Sequence, residues 1–133
     1  MPSFIALVLE SPITLVFGRI LLTTLFWSAG IFGLFNFSVI VSEMKAVNLP
    51  APVGFAVATI AIQLMGSVLL IGNFNGLGWL GAGALGLFTL LTIPYGHAFW
   101  TFPEPRRTEE LHIALEHISV AGGMLMAAIL TLR

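Results

Sequence analysis

The sequence contains no cysteine. That excludes disulfide exchange, thiolate nucleophiles, Cys-ligated clusters and Cys-bound zinc, so any redox role must use a bound cofactor or a partner. Charge is scarce as well. Only 8% of the 133 residues are charged, against roughly 25% in a soluble domain, which leaves too little polar surface to keep a folded chain dissolved. The net charge of −1 gives no basic surface for nucleic acid. The opening stretch, "MPSFIALVLESPITLVFG", lacks the basic cluster of a secretory signal, and Glu10, Ser11 and Pro12 interrupt it. It reads as a short interfacial lead-in rather than a cleaved peptide. The period-two alternation of membrane barrel strands is also missing.

What is present is apolar: 58% of the residues are hydrophobic. Four runs reach the ~20 helical residues that a bilayer requires. They cover about 13–36, 53–72, 77–100 and 111–132. Backbone polar groups must be satisfied within each segment in lipid, so the runs are expected to be helices. The fold class is therefore an all-α membrane protein, a single transmembrane domain over 1–133 built as a four-helix bundle. "NFNG" between the second and third runs predicts a tight turn and antiparallel neighbours. "TFPEPRRTEE" at 101–110, with five charges, predicts a short polar loop. "FSVIVSEMKAVNLPAP" carries Ile40, Val41, Met44 and Val47 at helical spacing. It predicts a short amphipathic interfacial helix after the first span, with an extension of that span as the alternative.

Small residues recur four apart. Gly78, Ala82 and Gly86 share a face of the third span, and Ser119, Gly123 and Ala127 a face of the fourth. Such faces allow helices to approach closely in lipid. Four spans put both termini on one side of the membrane (side A) and the first and third connections on the other (side B). Side B holds Lys45, Arg106 and Arg107; side A holds Arg133 and, if it snorkels that way, Arg19. Three against two is too even for the positive-inside rule to set orientation.

Ionisable or strongly polar groups in spans are functional candidates, since a charge at the bilayer centre costs about 2.5–3.5 kcal/mol or more. Here they are Arg19, Gln63, His97, His112, Glu116 and His117. His97 and Glu116 fall at similar depth near side B and are expected to meet. Glu116 and His117 are consecutive, so they diverge by about 100° and do not form one dyad. Pro94 frees a backbone carbonyl beside Tyr95, His97 and Trp100, which suits either a cavity wall or a packing kink. Each candidate also has a structural reading. His97, His117 and Gln63 could serve only as interhelical ties, Arg19 as a snorkelling interfacial charge, and Trp100 as a belt residue. No two histidines have ligand spacing, so neither metal nor haem is expected.

Taken in order, "GRILL", "SAGIFG", "VNLPAP", "AIQLMGSVLLIG", "YGHAFW" and "EHISVAGGMLM" resemble the DoxX family of small four-helix membrane proteins across nearly the whole chain. Arg19, His97, Gly122 and Gly123 match the family pattern as they stand. Three positions depart from it. The lysine usual after the first span's glycines is absent, Gln63 stands at or near a frequent glutamate, and His117 stands for a frequent asparagine.

The resemblance implies a multi-pass protein of a bacterial inner membrane. It also implies a link to quinone-coupled or oxidative-stress redox metabolism, with soluble redox partners. The leading expectation is a membrane subunit that holds a quinone-like or other apolar ligand in a side-B cavity. There His97 and Glu116 would act as catalytic proton-exchanging groups, and Gln63, Tyr95, Trp100 and His117 would line the ligand site. If it is an enzyme, it is a quinone-linked oxidoreductase component without cysteine chemistry. The alternatives are a non-catalytic assembly protein and a small transporter. Membrane lipid, a redox protein and a second copy of the chain are the partners considered.

Overall fold

The computed structural model describes all 133 residues, and it is helical with no strand. Its helices are α1 (Ser3–Leu9), α2 (Pro12–Phe35), α3 (Phe37–Ala46), α4 (Pro52–Gly72), α5 (Gly78–Gly96) and α6 (Arg106–Thr131). Short 3-10 turns at Phe74–Gly76 and Phe99–Thr101 flank α5. Helices α2, α4 and α6, and α5 together with its following turn, are long and apolar enough to cross a membrane. Only 21 of 133 residues are buried. In a chain this apolar, most large side chains must then face outward, which suits lipid rather than water as solvent.

The span boundaries follow the expected ones except that α5 stops at Gly96 rather than 100 and α6 begins five residues earlier than 111. The charged stretch was expected to be loop. Pro105 precedes the first helical residue, Glu109 sits in the first turn, and Glu104 Oε2 accepts hydrogen bonds from the backbone N–H and hydroxyl of Thr108. A carboxylate at a helix start both satisfies free N–H groups and complements the dipole. Charge therefore favours an extra turn of helix here, outside the apolar span.

The first connection is a separate helix, as the spacing predicts. The chain breaks at Asn36 (φ −131°, ψ 45°) and α3 follows. Ile40 is buried with Ala56 and Ile60 of α4, and Val41 and Met44 pack against them. The lead-in is also helical: α1 buries no residue, and its apolar side chains are all left to the surroundings.

The tight turn after α4 depends on left-handed backbone. Asn73, Asn75 and Gly76 have φ of 44°, 51° and 73°, a region that Gly and Asn tolerate best. Asn73 Oδ1 accepts the Gly78 N–H at 2.8 Å and so caps α5. The antiparallel pair that follows approaches closely. A Cβ placed on Gly81 would stand 2.5 Å from the Gly66 carbonyl oxygen and 2.8 Å from the Leu70 nitrogen. Only hydrogen fits there.

The helices are arrayed α2, α4, α5, α6, each packed on the next. Phe26, Leu70, Ala82, Leu85, Met124 and Ala127, drawn from all four, make the main core. The closing contact between α2 and α6 is sparse. Gly78, Ala82 and Gly86 are buried, as their spacing predicts, and a Cβ on Gly86 would stand 3.2 Å from Met124 Cβ. The corresponding face of α6 needs correction. Ala127 is buried and Gly123 lies against Leu22, but Ser119 is exposed and its hydroxyl donates to Leu115 O at 3.0 Å. At 100° per residue, a stripe four apart drifts round the helix, and Ser119 falls off the packed side.

Candidate functional site

Polar side chains converge at the side-B end of α5 and α6. Pro94 is two residues from the end of α5, so the helix stops there instead of bending. His97 is its C-cap, with its N–H donated to Ile93 O. The chain turns through Phe99–Thr101 and re-enters as α6. Arg106 and Glu110 then share a face of α6 four residues apart, and His117 lies two turns beyond Glu110.

The centre of the cluster is the contact between His97 Nδ1 and Glu110 Oε2, at 2.8 Å, with the side chains 27% and 13% exposed. The other carboxylate oxygen of Glu110 accepts from Arg106 Nε at 3.4 Å. Arg106 also lies over the Phe102 ring, its Cζ 3.8 Å from the centroid, and Arg107 Nε donates to Phe102 O at 2.9 Å. The connection is therefore tied to the helix it leads into.

The His117 ring lies 4.8 Å from that of His97, tilted by 59°. His117 Nδ1 is 2.8 Å from Ile113 O. A carbonyl accepts only, so Nδ1 carries the proton and Nε2 of a neutral His117 has a free lone pair. His97 likewise commits Nδ1 to an acceptor carboxylate. No protein group engages either Nε2. The two rings thus form an imidazole pair held from behind, with proton-accepting atoms unused.

The expected site was assembled differently. Glu116 does not meet His97. It is exposed on the outer side of α6, as is His112 one turn earlier. The cause is the helical phase: His97 meets α6 on the Glu110–His117 face, which points about 120° away from Glu116 when counted from Glu110. Glu110, which sequence reasoning placed in solvated loop, takes the partner's role. Its signal was legible as the spacing Arg106–Glu110–His117 on one helix face. Tyr95 and Trp100 lie beside the cluster but point outward, 58% and 53% exposed; Trp100 packs edge-on against Phe99 at 5.1 Å. Gln63 is remote, half-buried at the α2–α4 contact, with its Cβ facing Gly30. Three crevices of about 370 to 540 Å³ are lined by none of His97, Trp100, Glu116 and Gln63.

Arg19 departs furthest from expectation. It is 8% exposed, enclosed in a crevice between the α1–α2 corner and α6.

Four membrane-crossing helices in sequential array, with an apolar exterior, define a polytopic four-helix membrane protein. The family model for DoxX matches residues 14–98, well over half of the chain, and the protein belongs to the DoxX family. The match runs from α2 to the end of α5, so it includes Arg19, Gln63 and His97 and stops short of Glu110 and His117. No curated protein and no solved structure matches the chain.

Proposed function

We propose that this DoxX protein is the membrane subunit of a quinone-linked redox system in a bacterial inner membrane, and that His97, Glu110 and His117 exchange protons with a quinone head group. The observation that carries this reading is the 2.8 Å His97–Glu110 contact with a second imidazole 4.8 Å away. The cluster stands at the membrane edge, where a quinone ring carried on an isoprenoid tail arrives from lipid. Trp100 and Tyr95 offer flat apolar surface beside it.

The chemistry balances simply. In quinol oxidation, two electrons leave to a soluble redox partner and two protons leave the hydroxyls. A free imidazole Nε2 accepts the first hydroxyl proton and hands it to side-B water, and the second hydroxyl proton leaves by the same route. The imidazolium of His97 stays paired with the Glu110 carboxylate until that proton passes to side-B water. Quinone reduction is the reverse. Proton transfer of this kind contributes typically 10²–10⁴-fold.

The test is titration of the full chain in nanodiscs with a short-tailed ubiquinone or menaquinone analogue, followed by tryptophan quenching. Saturable quenching is expected, weakened in His97→Ala and His117→Ala. A quinone that fails to saturate, or equal affinity in both variants and in Glu110→Gln, would sink the reading.

One observation favours a second reading, as an assembly subunit. Glu116 and His112 present polar groups on the outer side of α6, where lipid is a poor solvent for a carboxylate. A partner helix, from a redox protein or a second copy, would cover them. Because the chain has no native cysteine, Glu116→Cys gives a unique label. Cross-linking from that position in membranes supports this reading, and its absence removes it.

A further inference from the structure

We propose that Arg19 is the floor of a binding site for an anionic amphiphile, seated in the crevice between α2 and α6 at side A. The ligand class is a carboxylate or phosphate head group carried on an apolar chain. The site is separate from the His97 cluster and does not rest on the quinone reading.

The crevice has a volume of about 540 Å³, within the ~300–1,000 Å³ range of ligand pockets. It lies where α2 and α6 barely touch. Its walls are Leu15, Leu22, Met126 and Leu130, and Gly18 and Gly123 leave it wide. Arg19 lies within it. The residue is 8% exposed, its Nε is fully buried without a partner, and its side chain forms no hydrogen bond or ion pair. A guanidinium has five N–H donors and stays charged. Only Nε is fully buried, so the guanidinium tip opens onto the crevice, and holding the charge there without a partner is unfavourable. A chain that keeps such a group buried needs an anion from elsewhere.

The chain itself is poorly placed to supply one. It has six acidic residues, and they are Glu10, Glu43, Glu104, Glu109, Glu110 and Glu116. The last five belong to α3, the α5–α6 connection or the side-B half of α6. Glu10 alone is at side A, on the rim of the same crevice, and it makes no ion pair with Arg19. Helical side chains lean towards the helix N-terminus. Arg19, about 10 Å along α2 from Pro12, therefore aims its guanidinium at the α1–α2 corner, where Ser11 and Thr14 add polar groups. A head group entering there would meet the guanidinium bidentately. Its chain would lie along Leu22 and Met126 and continue into lipid.

The full chain, purified in uncharged detergent, is examined by native mass spectrometry and thermal shift. It is titrated in separate arms with phosphatidylglycerol, oleate, inorganic phosphate and phosphatidylcholine. One phosphatidylglycerol or oleate per chain is expected, bound about tenfold or more tightly than phosphatidylcholine. Whichever binds tighter identifies the source as membrane phospholipid or free fatty acid. Arg19→Gln should abolish the preference. Gly18→Leu provides the second variant. A Cβ at Gly18 meets nothing within 4 Å and Gly18 lines the crevice, so leucine should narrow it: binding should fall, with thermal unfolding measured alongside to show that the fold is kept.

Equal retention of phosphatidylcholine, or an unaltered preference in Arg19→Gln, overturns the proposal. So does free phosphate binding as tightly as the amphiphiles. Tight binding that appears only in Glu10→Gln also overturns it, since Glu10 would then be the native counterion.

Discussion

His97 Nδ1 and Glu110 Oε2 meet at 2.8 Å across the junction of α5 and α6, joining the residue that ends one membrane helix to the first turns of the next. The contact bridges a sequence separation of 13 positions, closing the turn and the charged stretch between. Removing either side chain leaves the other without its partner. His97→Ala and Glu110→Ala should each lower stability by on the order of 1 kcal/mol. The double variant should lose less than the sum of the two, with a coupling of about 0.5–3 kcal/mol. Denaturation of the four proteins of this cycle in one detergent gives the number. Strict additivity would mean that the contact contributes nothing.

The close approach of α4 and α5 separates two glycines that composition alone makes equal. In Gly81→Ala, the new methyl group meets backbone atoms 2.5 and 2.8 Å away, so the helices must part, at about 1–3 kcal/mol. In Gly83→Ala, the methyl group meets nothing within 4 Å. That substitution should be neutral or slightly stabilising, since alanine is the better helix former by about 1 kcal/mol. Equal melting temperatures for the two variants would contradict the packing described.

His117 must hold its ring proton on Nδ1 to donate to Ile113 O at 2.8 Å. Nitrogen NMR of the labelled imidazole should therefore show the Nδ1–H tautomer of the neutral ring, with Nε2 unprotonated. The Nε2–H tautomer would mean that the ring turns away from the α6 backbone.

Asn73 has two tasks, a φ of 44° and an Oδ1 that caps Gly78. Asn73→Ala loses both and should cost about 1–2 kcal/mol. Asn73→Gly relieves the backbone and loses only the cap, so it should unfold between that variant and the parent. A reversed order in thermal unfolding would separate the turn from its assigned cause.

The spans were legible because lipid imposes a simple length and polarity rule, and the α3 helix was legible because Ile40, Val41 and Met44 repeat on one face. The small face of α5 could be read for the same reason. Which polar groups would meet could not be read from depth alone. Glu116 lies at a suitable depth and on the wrong side of α6, whereas the spacing that marks Glu110 shows only once residues 106–110 are known to be helical. The phase of a helix about its axis is set by packing against its neighbours, here through Ala114, Met124 and Ala127. Arg19 shows the same limit from the other direction. Its distance from the helix start suggested a charge reaching side A, but its burial could not be read, because one wall of its crevice comes from α6, more than a hundred residues later.

The seam between α2 and α6 has a mechanical consequence. With Gly81 and Gly66 in backbone contact, α4 and α5 form a stiff spine, and the two outer helices act as staves that are fastened on one side only. The bundle can change its width at the seam without breaking its tightest contact. Breathing of the protein should thus be confined to one edge. Hydrogen exchange in nanodiscs should show faster amide turnover along the facing stretches of α2 and α6 than in the middle of α4, and uniform protection would indicate a closed barrel of helices instead.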